Sequence, residues 1–205
     1  MYLAAYFTLY FIVTDLIANM YARDVSEMPG EGSAGDLPQW YMPPRMIGGH
    51  VSGPVLVHRS EGLVVAIRQI LAYPIGFEVE IEAHARGSSP GGPPPDPGGL
   101  GGHAEPSFRF RLADGTEVQL DDDTGLRTGL GPMLVVSKGE RSSGGPDSRE
   151  DVRLGLWMWP LPPPGPLTVV CSWPRRGLQD TGIVLDADAI RTAAFQAQPF
   201  WPAAS

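Results

Sequence analysis

The sequence predicts an all-β fold: an antiparallel β-sandwich of about eight to nine short strands, Ig-like or jelly-roll-like, with one short C-terminal helix and a separate N-terminal apolar helix. Three observations carry that expectation. Glycine and proline supply 26 and 22 of the 205 residues, a share that interrupts helices and favours many turns. Apolar residues make up 42% of the chain, enough for one core. Between the Gly/Pro breaks, apolar and polar side chains alternate with period two, the spacing of half-buried strands.

In chain order, residues 1–22 come first and are mostly apolar, and about 20 such residues suffice to cross a bilayer as a helix. Asp15 near the middle opposes a span, at a cost of roughly 2.5 to 3.5 kcal/mol at the bilayer centre. A cleaved signal peptide fits worse, because no basic residues precede the apolar run and no small-residue cleavage site ends it. Thr8, Asp15 and Asn19 would share one stripe of a helix, as in a helix docked on a partner or on the domain. A mis-called start is the third reading: four of the six tyrosines and the only asparagine lie in positions 2 to 21, and Met20 and Met28 offer later starts.

Residues 23–45 read as an extended Gly/Pro-rich arm, with Trp40, Tyr41 and Met42 placed to pin it to a β-sandwich domain spanning residues 46–202. Strands are expected at 55–59, 63–71, 77–85, 108–112, 116–120, 133–137, 152–159, 167–173 and 182–185. In the third of these, Phe77, Val79 and Ile81 alternate with Glu78, Glu80 and Glu82, giving a solvated acidic outer face. In the fourth, Phe108 and Phe110 alternate with Arg109 and Arg111. Because the two are consecutive, they are expected to pair antiparallel with the arginines opposite the glutamates. Residues 63–71 begin apolar on both faces and so belong in the middle of a sheet.

Residues 87–106 and 139–147, rich in Gly, Pro and Ser, are expected as loops. Asp114-Gly115 suits a two-residue hairpin, and the run from Pro162 to Pro166 separates two strands. Asp186 is placed as the N-cap of the C-terminal helix, whose stripe is Ile190, Ala193, Ala194 and Ala197 and whose stop is Pro199. The tail from Phe200 to Pro202 is expected to fold back against the domain.

The net charge of -8 excludes a basic face for phosphate backbones, so no nucleic-acid partner is expected. Lys138 is the one lysine, leaving arginine to fill the rest of the 15 basic positions, a bias of GC-rich bacterial codons. Cys171, the only cysteine, rules out an intrachain disulfide and a thiolate cluster, and a cytoplasmic location is expected. It alternates in phase with Leu167, Val169 and Trp173, which marks it as a small buried hydrophobe.

Motifs of known chemistry fail on context. Gly30, Gly32 and Gly35 match G-x-G-x-x-G but sit in the arm rather than between a strand and a helix. The histidines, His50, His58, His84 and His103, lack metal-ligand spacing, and no G-x-S-x-G elbow occurs. Asp121, Asp122 and Asp123 crowd one loop and are the candidates for a metal, without the D-x-D-x-D-G spacing of a dedicated calcium loop. No cofactor is expected.

The candidate interaction surface is aromatic. Val152, Leu154, Leu156 and Met158 occupy one face of a strand, leaving Trp157 and Trp159 on the other. Those two need cover from the arm or the tail, or else a ligand. Ala72-Tyr73-Pro74-Ile75-Gly76-Phe77-Glu78, Leu161-Pro162-Pro163-Pro164-Gly165-Pro166-Leu167 and the closing Trp201-Pro202 resemble an uncharacterised protein family of high-GC Gram-positive bacteria, over roughly residues 36–202. The resemblance implies a stand-alone domain of unknown function and carries no site residue. The expectation is thus a non-enzymatic binding or protein-interaction domain. The alternatives are a cytoplasmic-facing domain tethered to the membrane by residues 1–22, and a carboxylate-based or calcium-binding activity at Asp121, Asp122 and Asp123 or at Glu78, Glu80 and Glu82.

Overall fold

The computed structural model describes residues 38–51, 53–87, 106–120, 131–144 and 149–201. The chain divides into two units, Met1–Pro38 and Gln39–Ser205. Apart from Pro38, the first unit lies outside the described residues, as do the expected N-terminal helix and Asp121, Asp122 and Asp123.

Among the described residues the second unit contains β1 (Met46–Ile47), β2 (Gly49–Val51), β3 (Val55–Arg59), β4 (Leu63–Tyr73), β5 (Gly76–Ala85), β6 (Ser107–Arg111), β7 (Glu117–Gln119), β8 (Met133–Gly144), β9 (Arg149–Trp159), β10 (Pro166–Trp173), β11 (Leu178–Asp186), helix α1 (Ala187–Ala194) and β12 (Gln198–Pro199). They make three antiparallel sheets. A six-stranded sheet runs β2-β4-β5-β9-β8 with β3 also on β4, a four-stranded sheet runs β11-β10-β6-β7, and β1 pairs β12.

One apolar cluster draws on both larger sheets and on α1. β4 illustrates how the sequence keeps its face. A bulge between Ile67 and Gln69 shifts the phase by one, so Leu63, Val65 and Ile67 are followed by Ile70 and Ala72 in the same core. Within β5, Phe77, Val79 and Ile81 are buried as their alternation requires, and Phe77 stacks on Phe110 of the other sheet with ring centroids 6.0 Å apart.

That stacking corrects the expected pairing of these two strands. β5 pairs β4 and β9, whereas β6 pairs β10 and β7. The consecutive strands face each other across the core instead of lying side by side, because both need the same apolar partner. Arg109 pairs with Asp180, and Arg111 with Glu117 at 2.5 Å, rather than with the glutamates of β5.

Local chemistry explains the connections. Leu112 and Thr116 close a three-residue loop in which Gly115 adopts φ 87° and Asp114 Oδ1 accepts from the Thr116 N–H at 2.9 Å. The expected two-residue hairpin is therefore one residue longer. Residues 139–144, expected as loop, continue β8 opposite β9, with Glu140 across from Arg153 and Gly144 across from Arg149. Small residues there weaken the periodic signal without preventing backbone pairing.

Asp186 caps α1 by accepting from the Asp188 N–H at 2.9 Å, and Ala187, Ile190, Ala193 and Ala194 face the core. The helix ends at Ala194, ahead of the expected stop at Pro199, which instead pairs with Met46. Gly49 permits the helix to lie close: a Cβ there would stand 1.7 Å from the Ala193 carbonyl oxygen. No helix among the described residues is long and apolar enough to cross a membrane.

Candidate functional site

The outer face of β5 is the first place where polar side chains converge. A register shift between Val136 and Lys138 in β8 is a bulge that gives both Ser137 and Lys138 access to β5. Ser137 Oγ donates to Glu78 Oε1 at 2.5 Å, Lys138 Nζ lies 3.5 Å from Glu78 Oε2, and Lys138 also pairs with Glu80. Gly155 on the intervening strand makes room, since a Cβ there would come within 2.5 Å of Ser137 Oγ and 2.7 Å of Glu78 Oε1. Burial works against the Lys138 charge, but the Glu80 hydrogen bond and the Glu78 carboxylate outweigh it and raise its pKa above the ordinary value.

Glu78 is only 5% exposed, which corrects the expectation of a solvated glutamate face. Beside it, Tyr73 is held above its ordinary pKa by burial first and by the Glu78 charge second. Glu82 lies apart from this group, 3.4 Å from Arg68. Chemically, Glu78, Ser137 and Lys138 brace β5, β8 and the glycine between them.

Trp157 is covered. It is 2% exposed, its Nε1 donates to the Trp40 carbonyl at 2.8 Å, and Tyr73 meets it edge-on with centroids 5.7 Å apart. The arm supplies the cover, and Trp157 offers nothing to a partner. Trp159 is half-buried. The expected interaction surface on these two tryptophans is therefore withdrawn at Trp157.

Exposed apolar side chains gather elsewhere. Phe195, just after α1, is 89% exposed, Trp201 is 75%, Ile47 is 58% and Phe200 is 51%. Backbone pairing brings Ile47 and Phe200 to one ribbon: Ile47 lies opposite Gln198, and the Phe200 N–H donates to the Arg45 carbonyl at 2.8 Å. The tail thus returns to the arm as a strand, but its aromatic rings do not tuck in.

Among the described residues, a second concentration of charge lies at the opposite ends of the long strands. Glu150, 2% exposed at the start of β9, accepts from Arg141 of β8 and from Arg175 and Arg176 of the 3-10 turn Pro174–Arg176. Arg176 also donates to the Gly87 carbonyl at 2.8 Å, so the cluster joins both larger sheets and the end of β5. Burial pushes the Glu150 pKa up, but the Arg176 hydrogen bond and the charges of Arg141 and Arg175 prevail and hold it below the ordinary value. No spacing in the sequence signals this group, because its members come from distant segments.

The remaining sequence candidates stay apart. Cys171 is buried, and burial pushes its thiol pKa up to about 12. His84 lies on the outer face of β5 with Nδ1 2.6 Å from Asp151 Oδ1. Among the described residues no three His, Cys, Asp or Glu side chains are arranged to hold a metal ion. A depression of about 90 Å³ on the four-stranded sheet is lined by Ser107, Arg109, Gln119, Ser172 and Asp180. The chain matches no family model, and no curated protein or solved structure shows a significant match to it.

Proposed function

We propose that this chain is a non-catalytic binding module of the cytoplasm, built as a β-sandwich, that meets a protein partner through the exposed aromatic side chains of its C-terminal segment, Phe195 and Trp201. The sandwich reading is supported by the core that the two larger sheets share and by the stacking of Phe77 on Phe110. The binding reading rests on one observation, the exposure of Phe195 and Trp201 at 89% and 75%. Aromatic side chains of about 150 to 250 Å² each leave roughly 300 Å² uncovered between the two. Covering that area is worth on the order of 7 kcal/mol before the costs of association. An exposed group of this kind in an acidic domain marks a contact site.

A photo-cross-linking residue placed at Phe195 in the native host tests the proposal, with the same residue at Val184, 67% exposed on β11, as control. One discrete adduct from position 195 and none from position 184 is expected. Adducts that are absent from 195, or the same at both positions, would refute it. The membrane-tethered alternative rests on residues 1–22 alone, and membrane fractionation of the full chain decides it.

A further inference from the structure

We infer that the cluster of Arg175, Arg176 and Arg141 around Glu150 is a binding site for a small oxyanion, either a free phosphate or the anionic end of a larger ligand. The site stands at the other end of β4, an 11-residue strand, from the ribbon that carries the aromatic residues. It is therefore independent of the protein-contact surface.

Charge balance is the first argument. Arg175 and Arg176 are only 13% and 9% exposed, and both direct their charge at the single Glu150 carboxylate, itself 3% exposed in its side chain. Arg141 also reaches Glu150, at 29% exposure, and stands outside this balance because it has a further interaction of its own. Buried charges are normally compensated one for one, because each uncompensated ion costs several kcal/mol in desolvation. Two guanidiniums held by one carboxylate leave one positive charge uncompensated among these three groups.

Hydrogen bonding is the second. Both Glu150 oxygens are already occupied by Arg175 Nη2, at 2.6 and 2.7 Å, and Oε2 receives Arg176 Nε and Nη2 as well, at 3.1 and 2.6 Å. The carboxylate has no lone-pair capacity left for Arg175 Nε, which is buried without a hydrogen-bond partner. A buried N–H of a guanidinium without an acceptor is rare and calls for an ion or water. The fork of a guanidinium suits tetrahedral and planar oxyanions.

Surroundings are the third. Arg59, Arg86 and Arg149 are exposed at the same end, and the Arg176 guanidinium lies over the Trp173 ring at 5.9 Å. Glu61 and Asp151 stand at the same end, but among the described residues the arginines there outnumber the carboxylates, which favours the approach of an anion.

The test uses the full chain at neutral pH. Isothermal titration with inorganic phosphate, against sodium chloride at matched ionic strength, reads binding directly, and citrate serves as the carboxylate arm. Saturable phosphate binding is expected, weakened at least tenfold in Arg175→Gln. Should that variant fail to fold, Arg141→Gln at the more exposed corner weakens binding in the same direction, while Arg45→Gln, exposed beside β1 at the opposite end, stays within twofold of the parent chain. Saturation by phosphate but not citrate assigns a phosphate group, and the reverse assigns a carboxylate. No heat beyond that of chloride, or equal weakening in Arg45→Gln, would overturn the inference.

Discussion

Replacing Glu150 by Gln removes one negative charge and almost no volume, which isolates the electrostatic role of the cluster. Three guanidiniums then face an uncharged amide whose NH₂ group cannot accept from any of them. Removing one partner from a buried ion pair costs about 3 to 5 kcal/mol, and the 3% exposure of the Glu150 side chain leaves little solvent to screen the loss. For a domain of roughly 160 residues, each kcal/mol moves the melting temperature by about 2 to 4 °C, so a drop of about 6 to 20 °C is expected at neutral pH.

The same contacts set the pH dependence. The Glu150 carboxyl is lowered below its ordinary value of 4.5, so its contribution is complete above that pH and disappears as pH falls through the folded-state value. Thermal melts followed by circular dichroism should therefore show a gap between parent and variant that is widest at neutral pH and closes in acid. A gap under about 1 kcal/mol at neutral pH, or one that does not change with pH, would refute the reasoning.

Two further outcomes follow from the packing. Gly49→Ala drives a Cβ to 1.7 Å from the Ala193 carbonyl oxygen, so α1 must move and stability should fall by about 3 kcal/mol or more in a urea titration. Near-parent stability would mean the helix does not dock there. Cys171, buried with its thiol pushed up to about 12, should resist alkylation at mildly alkaline pH in the folded chain and react once it is unfolded in denaturant. Rapid labelling of the native protein would contradict that burial.

Much of the fold was legible because period-two alternation is a local property. The β3 strand begins and ends at Val55 and Arg59 as the pattern indicates, and Asp186 caps α1 as its position before Asp188 and Ile190 predicts. The pairing of strands was not legible. Glu78 and Arg109 look complementary in a linear reading, yet Phe77 and Phe110 on the opposite faces decide the arrangement by burying one ring on the other. Burial of aromatic area outweighs exposed charge pairs worth at most about 1 kcal/mol each.

The sites follow the same division. Exposure of Trp157 was open in the sequence, because the distant Trp40 carbonyl that caps it has no local signature. The Ser137 and Lys138 bulge was hidden for a similar reason: a register shift is a property of two strands, and only Gly155 in the partner hints at the space it needs. The arginines of the Glu150 cluster are scattered over three segments that meet only after folding.

Nuclear Overhauser effects from the rings of Phe77 and Phe110 test the arrangement of the two larger sheets most directly. Ring-to-ring effects are expected, as centroids 6.0 Å apart require, together with Hα contacts linking β5 to β4 and β9. Hα contacts between β5 and β6, with no effect between the two rings, would place the strands side by side and contradict the account.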